Sequence, residues 1–249
     1  MSNFKAYSHY YDLLYNDKNY KVESDYIIKK IHSFSPDASS ILELGSGSGS
    51  HASCFCATGF EVTGIERSPE MVAQSLQKNI SGFTPIVGDI VAASLPKTFD
   101  VVLSLFHVIS YLTATESVIQ CFKNTNHHLK TKGIFIFDVW YSPAVYFQKP
   151  ETRVKRLEDN DVTIVRIAES EMINEQNVVN VNFEVIIKDK NNSQTQTIHE
   201  LHPMRHFSIP EIALLAELSG FELLLAEEFL TEKSPSNATW GVCFILKKL

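Results

Sequence analysis

The sequence predicts an α/β protein with a doubly wound, mostly parallel sheet of seven strands, helices on both faces and an antiparallel β insertion. Between residues 41 and 139, short apolar runs alternate with longer amphipathic ones, which is typical of strands and helices in a parallel sheet. A β-rich interval with little helical periodicity follows. The alternation then resumes near the C-terminus, so both α/β parts are expected to build one sheet.

The apolar runs predict the seven strands at residues 41–44, 60–66, 84–87, 101–106, 133–139, 221–229 and 240–246. Helices are expected at residues 50–58, from residue 69, at 116–129 and up to residue 220. Ser68 is the expected N-cap of the second helix, and Ser208 with Glu211 forms an S-x-x-E capping box for the last. His127 and His128 are expected to form a solvated helix end.

The interval between the two α/β parts predicts an antiparallel meander. Its three β-rich runs lie at residues 162–168, 178–188 and 195–205, with Asn- and Asp-rich turn sequences between them. We therefore predict a single domain over residues 1–249. Within it, residues 36–140 and 207–249 form the α/β core, residues 1–35 an N-terminal helical cap, and residues 150–206 a β insertion over the substrate site.

The composition favours a globular protein and disfavours a nucleic-acid partner. Of 249 residues, 44% are apolar and 20% are charged, so the chain can bury a large core and a disordered or fibrous protein is excluded. The net charge of -7 disfavours nucleic acid as a partner, because phosphate contacts dominate that affinity. No apolar run approaches the roughly 20 residues that span a bilayer. Sparse cysteines and the absence of an apolar leader predict a cytoplasmic location.

Residues 43–49, Glu-Leu-Gly-Ser-Gly-Ser-Gly, are the first candidate binding segment. A glycine-rich turn between a strand and a helix lets the backbone approach a ligand, and the N–H groups of the helix start favour a polar or anionic group. In a doubly wound sheet this turn lies at the carboxyl edge of the strands, where ligands bind. The spacing departs from the G-x-G-x-x-G of dinucleotide folds, because the third glycine falls one place early, at Gly49.

Acidic side chains at two later strand ends are the next candidates. Glu66 ends the second strand and can accept hydrogen bonds from both hydroxyl groups of a ribose. Asp89 ends the third strand and could accept from an exocyclic amine, with Ile90 against a flat ring. Taken singly, Glu66 could be a solvated carboxylate, and Asp89 a helix cap or turn residue.

These segments, in this order, resemble the motifs of the class I S-adenosylmethionine-dependent methyltransferases. The matching segments are residues 43–49, Glu66-Arg67-Ser68 with Met71, Gly88-Asp89-Ile90 and Phe99-Asp100-Val101-Val102. The glycine before the fifth strand, Gly133, also matches. The resemblance covers residues 40 to 140 well and implies a Rossmann-like sheet with S-adenosylmethionine as its cofactor.

The resemblance also implies how the cofactor is held. Its methionine part would lie against Gly45, Ser46 and Gly47. Its ribose would be held by Glu66, and its adenine would be contacted by Met71, Asp89 and Ile90, with Asp89 bonded to the amino group. Three further residues are expected to bind the cofactor on the same basis, namely Glu43, Arg67 and Leu105.

Two segments outside the core resemble one subgroup. The tyrosine-rich residues 10–15 and Lys18-Asn19-Tyr20 are similar to the N-terminal cap of small-molecule methyltransferases, especially those that N-methylate nucleotide-linked amino sugars. The resemblance implies that Tyr11 and Tyr20 lie against the cofactor. Residues 201–208 are similar to the strand-to-helix join that follows the β insertion in that subgroup. The oligomeric state stays open.

Methyl transfer needs a nucleophile in line with the methyl group and exclusion of water. The candidate catalytic residues are His107, Tyr111 and His202, with Tyr111 at a position where some of the subgroup carry a histidine. The resulting hypothesis is N-methylation of a small-molecule amine, such as an amino sugar, without a metal. An O-methyltransferase would need a stronger base, such as a histidine or carboxylate. An NAD-binding oxidoreductase and a non-catalytic cofactor-binding module are the alternatives of other classes.

Overall fold

The computed structural model describes Leu14 and residues 18–249. Its strands are β1 Ser40–Leu44, β2 Glu61–Glu66, β3 Phe83–Val87, β4 Phe99–Ser104, β5 Leu129–Tyr141, β6 Arg153–Glu158, β7 Val162–Ile173, β8 Val178–Asp189, β9 Thr195–Phe207, β10 Phe221–Glu228 and β11 Gly241–Lys248. Its α-helices are α1 Tyr20–Phe34, α2 Ser50–Ala57, α3 Pro69–Gln77, α4 Thr115–His128, α5 Ser142–Gln148 and α6 Ile209–Leu218. None of these helices is long and apolar enough to cross a membrane.

The core sheet has the strand order β3-β2-β1-β4-β5-β11-β10. Strands β1 to β5 are parallel, while β11 pairs antiparallel with both β5 and β10. The predicted mostly parallel, seven-stranded sheet is therefore confirmed, with strand bounds that differ from prediction by only a few residues at most ends. Because parallel neighbours share one carboxyl edge, the turns that follow β1, β2 and β4 meet there.

The β insertion is a four-stranded antiparallel sheet in the order β9-β8-β7-β6. The sequence predicted three of these strands and missed β6, whose residues Arg-Val-Lys-Arg-Leu-Glu carry few apolar side chains and lie mostly exposed. The insertion joins the core where Trp140 and Tyr141 of β5 pair in parallel with His206 and Phe207 of β9. This junction is at the carboxyl end of β5, so the insertion lies beside the carboxyl edge of the core sheet.

Two apolar clusters cover the two faces of the core sheet. Along β5, Phe135 and Phe137 belong to the cluster that includes α4 and α6, whereas Ile134 and Ile136 belong to the cluster that includes α1 and α2. This division follows from the alternation of side chains along a strand. All four side chains are fully buried, as expected for a sheet with helices on both faces.

Helix α1 is tied to the far edge of the core sheet by a buried polar cluster. The Lys30 Nζ lies 2.6 Å from a carboxylate oxygen of Glu227 on β10, and the Tyr26 hydroxyl donates to the same oxygen at 2.7 Å. Both Lys30 and Glu227 are more than 90% buried. Because a buried ion pair is costly to break, this cluster fixes the direction of α1 and thereby the position of Tyr20 at its start.

The end of α4 differs from prediction at one of two residues. His127 is exposed, as expected, but His128 is buried. The His128 Nδ1 donates to the backbone carbonyl of Asn124 at 2.8 Å, and its Nε2 accepts from the backbone N–H of Leu95 at 2.9 Å. The ring thus provides a hydrogen-bond acceptor for a backbone N–H in the loop before β4. The local sequence does not indicate this long-range contact.

The predicted N-cap of α3 is confirmed and gives a first testable result. The Ser68 hydroxyl accepts from the backbone N–H of Met71 at 3.2 Å. We expect Ser68→Ala to lower the free energy of unfolding by about 1 kcal/mol, since that N–H loses its partner. A melting point lower by roughly 2–4 °C would accompany this loss. Ser33→Ala, an exposed serine in the last turn of α1, is the control; equal losses in both variants would contradict the cap.

Candidate active site

A cavity of about 690 Å³ opens at the carboxyl edge of the core sheet, between that edge and the β insertion. One end of it, here called the turn end, is lined by the glycine turn after β1, by Glu66 and by Asp89. The other, here called the histidine end, is lined by His107, Tyr111 and His202. The fold therefore brings both predicted groups of site residues to one cavity. In the described part of the chain, no group of His, Cys, Asp and Glu is placed to hold a metal ion.

The first two glycines of the turn, Gly45 and Gly47, have different structural roles. Gly45 has φ of +73°, and a Cβ there would lie 2.6 Å from Cγ2 of Val108, so this glycine permits close packing. Gly47 also has a positive φ, +54°, but a Cβ there would meet nothing closer than Sδ of Met71, at 3.9 Å. Gly47 therefore leaves space at the cavity wall, which is the kind of cradle that a ligand fills.

Glu66 joins the end of β2 to this turn. One carboxylate oxygen accepts from the backbone N–H of Gly47 at 3.0 Å, and the other accepts from the backbone N–H of Ser68 at 2.8 Å. A carboxylate has about four acceptor positions, so each oxygen retains capacity for one more donor. The geometry fits the two neighbouring hydroxyl groups of a ribose.

The remaining predicted residues of the turn end also lie at the cavity. Those that line it are Arg67, Met71, Asp89, Ile90 and Leu105. Asp89 has a local role as well, because its Oδ1 accepts from the backbone N–H of Val91 at 2.8 Å. Asp89 is therefore both a turn residue and part of the cavity wall.

The start of α1 closes the cavity beside the glycine turn. The Tyr20 ring lines the cavity and meets the His51 ring edge to face at 4.9 Å. The His51 Nε2 in turn lies 2.9 Å from a carboxylate oxygen of Glu23, which also pairs with Lys18. This network holds Tyr20 against the start of α2. The other predicted cap residue, Tyr11, lies outside the described residues.

Two of the predicted cofactor residues are directed elsewhere. Glu43 does not line the cavity; it is buried beneath the turn, 3.8 Å from Nδ1 of His51. The buried Ser46 lines the cavity, but its hydroxyl is directed at Gly64, where a Cβ would lie only 2.4 Å away. Both side chains thus support the turn from below. Glu43 lies near His51 of α2, and Ser46 lies against Gly64 of β2.

Burial, and then the charge of nearby Glu66, raises the pKa of Glu43 from 4.5 to about 8. Between these values the carboxyl group ionises in the unfolded chain and stays protonated in the folded one. The free energy of unfolding is therefore expected to fall as pH rises through this range. Glu43→Gln removes the titration, so its melting point should rise relative to wild type as pH increases. Thermal unfolding across the range checks this, with exposed Glu61→Gln as control; a pH-independent difference would contradict it.

At the histidine end, His107 is paired with the carboxylate of Asp138, which was not predicted as a site residue. The backbone at Phe106 and His107 adopts positive φ, 65° and 62°, and this bend sets the His107 Nδ1 2.7 Å from Oδ2 of Asp138 on β5. Burial alone would raise the pKa of Asp138, but the charge and hydrogen bond of His107 outweigh it and hold that pKa below its ordinary value. A charged residue within the apolar run of β5 was the available signal.

Tyr111 and His202 lie in direct contact. The Tyr111 hydroxyl oxygen is 3.0 Å from the His202 Nδ1, and the His202 Nε2 is 3.0 Å from a carboxylate oxygen of Glu200. Glu200 was not predicted. Its signal is the spacing of two from His202 on β9, which sends both side chains to one face of the strand.

Cationic side chains from the insertion lie beside the histidine end. Arg153 of β6 and Arg166 of β7 line the cavity, and the Arg166 guanidinium lies 4.9 Å from the centre of the Phe183 ring. Guanidinium groups match the geometry of carboxylate and phosphate groups. This wall of the cavity can therefore receive the anionic part of a small molecule.

In Rossmann-like sheets, nucleoside-bearing ligands bind where a glycine turn and a strand-end carboxylate meet at the carboxyl edge of the strands. A family model described as a methyltransferase domain matches residues 41–133, which hold that turn and that carboxylate. Over these residues the chain is similar to methyltransferases, which is the family that the motif resemblance implied.

Individual relatives extend over more of the chain. The dTDP-3-amino-3,4,6-trideoxy-alpha-D-glucopyranose N,N-dimethyltransferase of Streptomyces venezuelae is 29% identical over 138 residues, 55% of this chain and 58% of that enzyme. The putative methyltransferase YqeM of Bacillus subtilis (strain 168) is 27% identical over 249 aligned positions, 98% of this chain and 97% of that protein. The first match thus spans little more than half of the sugar methyltransferase.

The solved structure of S-adenosylmethionine-bound CalS10, an amino pentose methyltransferase from Micromonospora echinaspora, is similar to this chain with a TM-score of 0.77. It is 21% identical, and the match covers 99% of this chain and 98% of that one. This likeness shows that the fold is shared.

Proposed function

We propose that the protein transfers a methyl group from S-adenosylmethionine to an amine of a small metabolite, namely a sugar that carries an anionic group such as a nucleotide. The observation that carries this proposal is that one cavity joins the two kinds of site. Its turn end suits a nucleoside, and its histidine end is lined by His107, His202 and two arginines. The sugar N-methyltransferase among the relatives supports the same substrate class.

The cofactor fits the turn end on features of the chain itself. The space at Gly47 and the remaining acceptor capacity of Glu66 suit the ribose and its neighbours. We assign the methionine part to the backbone of residues 45–47 and to Tyr20, and the adenine to Met71, Asp89 and Ile90, with Arg67 and Leu105 beside them. When bound, S-adenosylmethionine would supply an electrophilic methyl group. The chain's part is to place the acceptor in line and exclude water.

The histidine end suits an amine acceptor. An amine attacks in its neutral form, so the protein must orient it and accept one proton. His107, Tyr111 and His202 are the side chains available for this at the cavity, while Arg153 and Arg166 would hold the anionic part. We place the enzyme in the cytoplasm, where the four free thiols would remain reduced. Neither nucleic acid nor a membrane is among the proposed partners.

A pair of matched acceptors tests the proposal. We expect methyl transfer to dTDP-3-amino-3,6-dideoxyglucose and none to dTDP-6-deoxyglucose, which carries a hydroxyl group in place of the amine. Mass spectrometry of the acceptor and the appearance of S-adenosylhomocysteine provide the readout. Transfer to the hydroxyl acceptor alone would favour the O-methyltransferase. Binding of NADH in a fluorescence titration, without binding of S-adenosylhomocysteine, would favour the oxidoreductase. Cofactor binding without turnover on any amine would favour the binding module.

A further inference from the structure

Three hydrogen-bonded side chains lie in a row at the histidine end: Tyr111, His202 and Glu200. Tyr111 is 37% exposed and lines the cavity, whereas His202 and Glu200 are at least 91% buried. We propose that this row is a proton relay that removes a proton from the acceptor's ammonium group before methyl transfer. The inference rests on the proposed function, because it requires an amine acceptor.

The row fixes the direction of each hydrogen bond. A carboxylate can only accept, so the His202 Nε2 carries a hydrogen and donates it to Glu200. In a neutral imidazole the other nitrogen is then an acceptor, and Tyr111 donates its hydroxyl hydrogen to it. Toward a group in the cavity, the Tyr111 oxygen can therefore act as an acceptor, which is the role that an ammonium N–H requires.

The proton transfer is balanced along the row. One N–H bond of the ammonium group breaks, its proton goes to the Tyr111 oxygen, and the electron pair stays on nitrogen as the lone pair that attacks. The hydroxyl proton of Tyr111 moves at the same time to the His202 Nδ1. His202 becomes an imidazolium ion beside the Glu200 carboxylate, so the positive charge moves from the substrate to a paired site. After the product departs, His202 returns its proton to the Tyr111 oxygen, and the proton that Tyr111 took from the substrate passes to water in the open cavity.

The size of the effect follows from the ionisation of alkyl amines. A simple alkyl ammonium has a pKa near that of lysine, about 10.4, so only about one molecule in 10³ is neutral near pH 7.4. Positioned acid–base groups typically contribute about 10²–10⁴-fold to a rate. Tyr111 is then a catalytic residue, and His202 and Glu200 are positioning residues that act through it.

Described residues of four elements surround the His202 ring. Tyr111 faces its ring from the turn after β4, and Glu200 faces it from the same strand, β9. From β8 the Phe183 ring packs on it at 4.6 Å, with the Arg166 guanidinium of β7 on that ring. The Glu200 carboxylate is in direct hydrogen-bond contact with the His202 ring, whereas the Arg166 guanidinium contacts the Phe183 ring.

The test compares Tyr111→Phe and His202→Gln with a matched control, Tyr146→Phe. Tyr146 also lies against a buried histidine, His206, and its hydroxyl donates to Asn177, but it is outside the cavity lining. All three variants should bind S-adenosylhomocysteine within about threefold of wild type by calorimetry, since the relay lies apart from the nucleoside site.

The kinetic readout is kcat/KM for dTDP-3-amino-3,6-dideoxyglucose against pH. Without the relay, only acceptor molecules that are already neutral react. The two relay variants should therefore lose about 10²-fold at neutral pH and recover with a slope near one logarithmic unit per pH unit up to the amine pKa. Wild type and the control should be nearly flat there. An equal loss at every pH would show a merely structural role and overturn the relay. A rise of one logarithmic unit per pH unit in His107→Asn, with a flat profile in Tyr111→Phe, would also overturn the relay and would assign proton removal to His107.

A second readout does not depend on the acceptor. Nitrogen-15 NMR of the His202 ring, identified by its loss in His202→Gln, should show the Nε2–H tautomer in wild type. The Nδ1–H tautomer would overturn the relay whatever the activity. If that signal shows Nε2–H and wild type methylates no amine, the proposed function fails while the hydrogen-bonded row stands, so the two failures are distinguishable.

Discussion

Replacing Glu66 by alanine is expected to weaken the binding of S-adenosylhomocysteine by about 10²-fold or more. Hydrogen bonds to a charged group contribute about 1.5–3 kcal/mol each, and this carboxylate is proposed to accept from two ribose hydroxyl groups. The substitution also releases the backbone N–H of Gly47, which the carboxylate holds at 3.0 Å, so the turn loses its tie to β2. Isothermal calorimetry of the pure protein measures the affinity directly.

Two further variants separate these contributions. Glu61 begins the same strand and is exposed, so Glu61→Ala should leave the affinity within about twofold. Glu66→Gln keeps the shape of the side chain and loses its charge, so its affinity should lie between those of wild type and Glu66→Ala. An unchanged affinity in Glu66→Ala would remove the ribose assignment.

Replacing Gly45 by alanine is expected to lower the free energy of unfolding by about 3 kcal/mol, because two costs add. A residue with a Cβ is strained at φ of +73°, and the added carbon would lie 2.6 and 2.7 Å from the two γ carbons of Val108. Roughly 10 °C would be lost from the melting point of a chain of this size. Thermal and urea unfolding provide the measurement.

A double mutant isolates the collision from the backbone strain. Val108→Ala removes both γ carbons and leaves only Cβ, 3.2 Å from the added carbon. We therefore expect Gly45→Ala to cost less in the Val108→Ala background than in wild type, by about 1–2 kcal/mol. Strictly additive losses would show that the collision with Val108 does not set the identity of residue 45.

The core sheet was predictable from sequence because its central strands β1, β4 and β5 are covered on both faces and contain nearly continuous apolar runs. The strand β6 was not, since its arginines, lysine and glutamate leave no apolar pattern. The 3₁₀ turn at Val108–Tyr111 was also missed, although it carries Tyr111 and supplies the side chain that excludes a Cβ at Gly45. Both depend on contacts with distant parts of the chain.

The same distinction holds for the site. The glycine turn and Glu66 could be expected to meet because β1 and β2 are neighbours whose motifs lie within one short stretch of sequence. The pairing of Tyr111 with His202 joins residues 91 positions apart. Glu200 acquires its role from His202 on the same face of β9, and Asp138 acquires its role from His107 after β4. Glu43 was expected at the cofactor, but its position inside β1 buries it beneath the turn.

We propose that the glycine turn and the Glu66 carboxylate bind one nucleoside-bearing molecule. A crystal structure with S-adenosylhomocysteine tests it most directly. We expect both ribose hydroxyl groups to lie within hydrogen-bond distance of the Glu66 oxygens, about 2.6–3.2 Å, with the sulfur directed toward His107 and Tyr111. A ligand seated elsewhere in the molecule, or a ribose without contact to Glu66, would contradict it.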